Sequence, residues 1–399
     1  MARKAGWCFV IVLMLVPLIT GCWNRRELND LAIVAALGID RVKDKFLVTV
    51  QVVDPGEVAS RQGSSGLSPV LTYHGIGDTV FEAVRKMTTV TPRKLYFSHL
   101  RVFIIGEELA REGMGEALDL MSRDQEGRTD FYIVVAKGTT AENVLKVLTP
   151  IEKIPASKMF DSLEVSERSW APTVAVQLDE LITNIVSPGI QATLTGVVIQ
   201  GDPELGSKRK NVETPATPVH LQYKGIAMFR EDKLIAWMNE DESKGFSNIT
   251  DRLNSTVVKV ACPRGGKLAI EVIRSKTAIK AKVRDGKPEA EVVMHTEANV
   301  ADVECKIKLT TATTLFDLEK ATEDALKMHA EKAVKKAQRL KCDIFGFGDA
   351  IHRANPRYWS KAKENWDQQF SKMDIRFNVD VKIRRIGTIG ESFLNDMKE

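Results

Sequence analysis

The sequence predicts an α+β fold: a multi-domain, mixed α/β chain with largely antiparallel sheets, three domains in all, after a cleaved signal peptide. Three observations predict it. Apolar runs of strand length alternate with helix-period segments along the first half of the chain. The second half is rich in alternating runs, above all Ile375, Phe377, Val379, Val381 and Ile383 set among Asp374, Arg376, Asn378, Asp380, Lys382 and Arg384, which reads as a one-sided antiparallel strand. The first 21 residues resemble neither half.

Arg3 and Lys4 form a positive start, and 6–18 is apolar apart from the break at Pro17. At roughly 13 residues this is the length of an export-signal core and short of the 20 or so needed to span a bilayer. Ile19, Thr20 and Gly21 then lead directly into Cys22, which resembles the bacterial lipobox. There the thiol receives diacylglycerol and the chain is cut just before it. One acyl chain binds membranes marginally, whereas two, at about 0.8 kcal/mol per buried CH₂, hold a protein stably. Cys22 is therefore the expected lipidation site of a lipoprotein, with 1–21 as its signal peptide.

In the expected N-terminal mixed α/β domain, 22–190, the segments 31–42 and 46–53 read as a strand hairpin around Lys43, Asp44 and Lys45. A polar Gly/Ser loop at 57–68 follows. Strands at 70–76, 101–105 and 131–136 are interleaved with helices at 78–89 and around 118–121. Thr139-Thr140-Ala141-Glu142 has capping-box spacing and predicts a helix to Leu148. Two more helices are expected at 151–163 and 174–186, stopped by Ser187-Pro188-Gly189. A small β-rich middle domain, 191–254, carries strands at 191–199, 220–229 and 233–238. The C-terminal α/β domain, 255–399, opens with strands at 255–261, 267–273, 278–283 and 289–300. It continues with a long helix whose face is Leu315, Leu318, Leu326, Ala333, Ala337 and Leu340, begun by the box Thr314-Leu315-Phe316-Asp317. A helix at 356–370 and the terminal strand complete it.

The formal charge of +4 falls to 4 − 2 = +2 once Arg3 and Lys4 leave with the signal, and no basic stripe runs through the chain. That excludes the electrostatic footprint of a nucleic-acid binder. Lys208, Arg209 and Lys210 sit among Pro203, Pro215 and Pro218 and read as a solvated loop. Cys262, Cys305 and Cys342 are odd in number and widely spaced, so buried free thiols are expected, with no metal or redox motif.

Catalytic constellations are not legible either. Gly346-Phe347-Gly348 follows a long helix and has Ile351 at the third glycine position, so it reads as a helix end and turn. The histidines 74, 99, 220, 295, 329 and 352 are not spaced as ligands on one element. His329 falls on the apolar face of the long helix, and Asp241 with Glu242 lies in an acidic run lacking visible partners. No catalytic residue, metal ligand or cofactor site is assigned.

Five stretches carry a resemblance: GCWNRRELNDLAIVAALGID at 21–40, PRKLYFSHLRVFIIGEELA at 92–110, GIAMFREDKLIAW at 225–237, EVIRSKTAIKAKV at 271–283 and CDIFGFGDAIHRANPRYW at 342–359. In this order they resemble the Ger(x)C family, the lipoprotein C subunits of spore-germination nutrient receptors. Asn24 departs from an acidic residue expected in the family's start, and Gly127 interrupts a charged segment at 123–128. The resemblance implies a non-enzymatic, three-domain subunit, lipid-anchored through Cys22 on the outer face of the spore's inner membrane. It also implies integral-membrane A and B subunits as partners. The alternative class is a lipoprotein solute-binding protein that delivers a nutrient to a transporter. That fold requires two doubly wound lobes around a hinge, which the antiparallel patterning disfavours.

Overall fold

The computed structural model describes residue 7 and residues 30–59, 67–123, 127–262 and 265–387. β1 (Leu31–Val42) lies within a nine-stranded mixed sheet. β2 (Lys45–Val53) and β3 (Val70–Gly77) extend it antiparallel on one side. On the other side β5 (Val102–Gly106), β6 (Tyr132–Ala136) and β7 (Thr193–Gln200) follow in parallel, and β8 (His220–Arg230) and β9 (Lys233–Trp237) close it antiparallel. β4 (Lys94–Tyr96) runs parallel beside β1.

Parallel neighbours need crossovers, and helices supply them. After α1 (Pro55–Ala59), at the start of the expected polar loop, α2 (Val80–Lys86) leads toward β4. α3 (Glu107–Glu112) and α4 (Gly115–Arg123) join β5 to β6. α5 (Ala141–Lys146), α6 (Pro155–Ser169) and α7 (Leu178–Val186) join β6 to β7. Tight hairpins turn where a residue takes positive φ, at Lys43 between β1 and β2 and at Glu231 between β8 and β9. The short helix α8 (Pro203–Gly206) lies between β7 and β8. Segment 191–254 therefore contributes three strands to the same sheet as 31–136, and ends in α9 (Glu240–Ile249).

A second sheet, ordered β10 (Thr256–Ala261), β11 (Lys267–Arg284), β12 (Lys287–Val303) and β13 (Asp374–Arg385), carries α10 (Ala312–Arg339). The two strands expected at 267–273 and 278–283 are one, turned into β12 by Asp285-Gly286 with both φ positive. β13 is one-sided as expected but pairs parallel to β12, correcting the antiparallel expectation. Alternation reports which face is buried; direction is set by the connection, and α10, α11 (Phe347–Ala354), α12 (Pro356–Ala362) and α13 (Trp366–Ser371) carry the chain back to the starting end.

Three further expectations are corrected. The cap of α5 is Thr140, whose Oγ1 accepts from Asn143 N at 3.1 Å, and α10 starts from Thr311 without a side-chain cap. The helix expected at 151–163 begins at Pro155, the N1 residue, and 174–176 is extended, with Val176 O accepting from Ile133 N. Cys262 and Cys305 are not free thiols but a disulfide, packed with Leu268, Ile270 and Ile307; among the described residues Cys342 is the one free cysteine, and it is buried.

Both faces of the large sheet are buried. Ala36, Val102, Ile104 and Val134 pack under α5 and α6, while Leu37, Ile39, Phe103 and Ile105 face a core shared with Met294, Ala333, Phe347 and Phe370. One apolar interior thus joins the two sheets.

Candidate functional site

Cys22, Trp23, Arg25 and Arg26 lie outside the described residues. Asp30 is the first residue of the described body, and it lines a cavity of about 520 Å³ with Thr88, Thr91, Pro92, Arg93 and Lys94. Thr88 and Lys94 are shared with a second, mainly apolar cleft of about 430 Å³. Its walls are Leu37 of β1, Val80, Phe81 and Val84 of α2, Leu95 and Phe97, and Leu120 and Met121 of α4.

The local sequence explains the cleft. Gly75 and Gly77 let α2 lie against β3: a Cβ on them would meet Ala83 O at 2.3 Å and Ala83 N at 2.6 Å. Thr79 caps α2, accepting from Glu82 N at 3.1 Å, while Glu82 accepts from Asp78 N at 2.7 Å. Val80 and Ala83 turn inward and Phe81 outward, 53% exposed. Among the described residues Arg85, Lys94 and Arg123 are the charged ones that line it. The Arg85 guanidinium lies 4.8 Å from the Phe81 ring centre, and Arg123 pairs with Asp119 at 2.8 Å, holding that carboxyl below the usual range. An apolar hollow rimmed by cations suits an amphiphile with an anionic head.

The other conspicuous motif is interior. Asp343 Oδ1 accepts from the backbone N–H of Phe345, Gly346 and Phe347 at 3.0–3.3 Å, and Oδ2 from Gly348 N at 2.8 Å and Trp366 Nε1 at 2.9 Å. Burial pushes this carboxyl up to about 6 although the five donations favour its charged form. Gly346, at φ 78, turns the chain into α11, and a Cβ on Gly348 would meet Gly189 O at 2.6 Å. Ser187-Pro188-Gly189 is thus a strap on the Asp343 turn as well as a helix stop. No phosphate site is built: a protein carboxylate already occupies the N–H cradle.

The carboxylates lacking partners in the sequence find them in α10. Asp241 bonds Lys332 at 2.7 Å and faces His329 at 3.6 Å, and Glu242 bonds Lys336 at 2.6 Å. Burial lowers the pKa of His329, so its imidazole is neutral at pH 7. Asp40 accepts from Ala141 N and Glu142 N at 2.8 and 2.9 Å, holding the start of α5. Its carboxyl is raised by burial, against those two donations. The six histidines are dispersed, and no group of three His, Cys, Asp or Glu among the described residues is placed to hold a metal ion.

The fold and the motif positions find their counterparts in known proteins. The family "Spore germination protein N-terminal domain" matches residues 24–199, and "Spore germination B3/ GerAC like, C-terminal" matches 224–387. The chain belongs to the Ger(x)C family of spore germination proteins. Ger(x)C relatives align from end to end. Spore germination protein KC of Bacillus subtilis (strain 168) is 32% identical over all of both chains, and spore germination protein B3 of the same organism is 24% identical over 97% of this chain and all of its own. The crystal structure of the GerBC protein shares the fold, with a TM-score of 0.56 and 21% identity over 87% of this chain and 96% of that one.

Sequence reasoning missed the Cys262–Cys305 pairing, the Asp343 cradle and the cleft. The second had a signal, an Asp directly before a Phe-Gly-Phe-Gly turn; the other two join residues distant along the chain and had none.

Proposed function

We propose that the chain is the lipid-anchored, non-catalytic C subunit of a spore germinant receptor, held by diacylglycerol on Cys22 to the outer face of the spore's inner membrane. Its partners there are the membrane-embedded A and B subunits. End-to-end membership of the Ger(x)C family is the observation that carries this reading. Two features support it. The Gly21-Cys22 step at the end of the apolar run leaves eight residues to Asp30, at most about 30 Å of extended chain, so the body stays close to the bilayer. The Cys262–Cys305 disulfide fits an oxidising compartment outside the cytoplasm. No described helix is long and apolar enough to cross a membrane.

The body acts by docking. The ion pairs and the Asp343 turn consume its buried charges internally, leaving surface shape and charge as means of recognition. Co-purification of the A and B subunits with the chain from spores, compared with Cys22→Ala, tests the reading. Recovery of both subunits that falls sharply in the variant is expected. Undiminished assembly and germination would contradict it.

A further inference from the structure

The face beside Asp30 combines three features. The cleft under α2 is open and apolar, with Leu37, Leu95, Phe97 and Leu120 forming its walls and Phe81 at its mouth. Among the described residues its charged lining is cationic: Arg85 and Lys94 are exposed, and Arg123, paired with Asp119, stands at the rim. It adjoins the cavity lined by Asp30 and Arg93, where the segment leading from Cys22 enters the body. Val90, 62% exposed, projects from the same 87–91 turn.

We infer that this cleft binds an anionic phospholipid of the supporting bilayer, an acyl chain entering between α2 and α4 and the phosphate resting on Arg85 and Lys94. The chemistry is that of an amphiphile. The walls take hydrocarbon, and its volume lies within the roughly 300–1,000 Å³ range of ligand sites. Juxtamembrane Lys and Arg each contribute about 1 kcal/mol toward anionic surfaces. A nutrient of amino-acid or sugar type would leave these apolar walls unsatisfied. The location, though not the chemistry, rests on the anchored reading of Cys22. Lipid contact here would fix the rotation of the body about its tether, presenting one constant face to membrane partners.

Labelling tests it on the mature chain from residue 22, free of the apolar signal and its Cys8. Cys342 is buried and Cys262 is paired with Cys305, so Val90→Cys in a Cys22→Ala background offers one accessible thiol among the described residues. A bimane there is read with excess vesicles carrying brominated acyl chains, of phosphatidylcholine with or without phosphatidylglycerol. Quenching that requires phosphatidylglycerol is expected, together with an apparent affinity about ten-fold weaker in Arg85→Glu/Lys94→Glu. The same label at Phe316→Cys, exposed at the start of α10, stays unquenched. Equal quenching without phosphatidylglycerol, indifference to the charge reversal, or quenching at 90 only when the membrane subunits are present would overturn the inference. Flotation of the native-Cys22 chain is scored separately: its failure would sink the anchored reading while the cleft is still read with added vesicles.

Discussion

The cleft under α2 and the turn at Asp343 are opposite solutions to placing polar and apolar groups together. At Asp343 a buried carboxylate meets five donors, and Phe347, Trp366 and Phe370 close around it. Under α2 the hollow is floored by buried Leu37, Val80 and Leu95, Phe81 stands half in water at its mouth, and the charges stand at the rim. A filled, satisfied turn fixes one shape and has nothing left to bind, whereas the open cleft retains surface for a partner. Both lie in stretches that resemble the same family, so the resemblance alone does not tell interior lock from exposed contact.

Substitution should separate them sharply. Asp343→Asn turns an amide N–H₂ toward N–H donors and is expected to cost about 4 kcal/mol, given about 1–3 kcal/mol for each buried group left unsatisfied. Urea unfolding followed by circular dichroism reads this, and a loss under about 1 kcal/mol would deny the turn its importance. Cys262→Ser is next, at about 3 kcal/mol for a closed loop of this class, visible as the same loss on reduction of the parent. Third is pH. The Asp343 carboxyl sits at about 6 in the folded chain against its ordinary value of 3.8, so the folded state binds the proton more tightly. Its contribution is fully present below about pH 4 and is lost as pH rises through 6, up to about 3 kcal/mol. The parent's advantage over Asp343→Asn should therefore shrink across that window; a constant difference would contradict the shift. Smallest is Phe81→Asp in the cleft, within about 0.5 kcal/mol because the ring is half in water, yet expected to abolish vesicle quenching at position 90.

How much was legible follows from the range of each signal. Apolar runs placed β1 and β3, and period-two alternation placed β2 and β13, within a residue or two, and the apolar face of α10 was right at Leu318, Leu326, Ala333 and Ala337. The direction of β13 was hidden because one-sided burial is the same in either orientation. Val174 and Val176 passed for helix because buried residues two apart satisfy several periodicities; Val176 pairs with Ile133, 43 residues upstream, and Val174 with the Thr195 hydroxyl, 21 downstream. The Cys262–Cys305 bridge spans 43 residues. No local spacing announces it. The cleft is less legible still, gathered from β1, α2, β4 and α4. Asp40 illustrates the limit: Gly38 and Asp40 stood in a quoted motif, but what they serve, the close approach and capping of α5, appears only when Ala141 arrives beside them.

The anchor remains the point on which location and partnership turn. Mass spectrometry of the mature chain extracted from spore membranes tests it most directly. An N-terminus at Cys22 carrying thioether-linked diacylglycerol is the expected result. A polypeptide starting at another residue, with the Cys22 sulfur unmodified, would contradict the account.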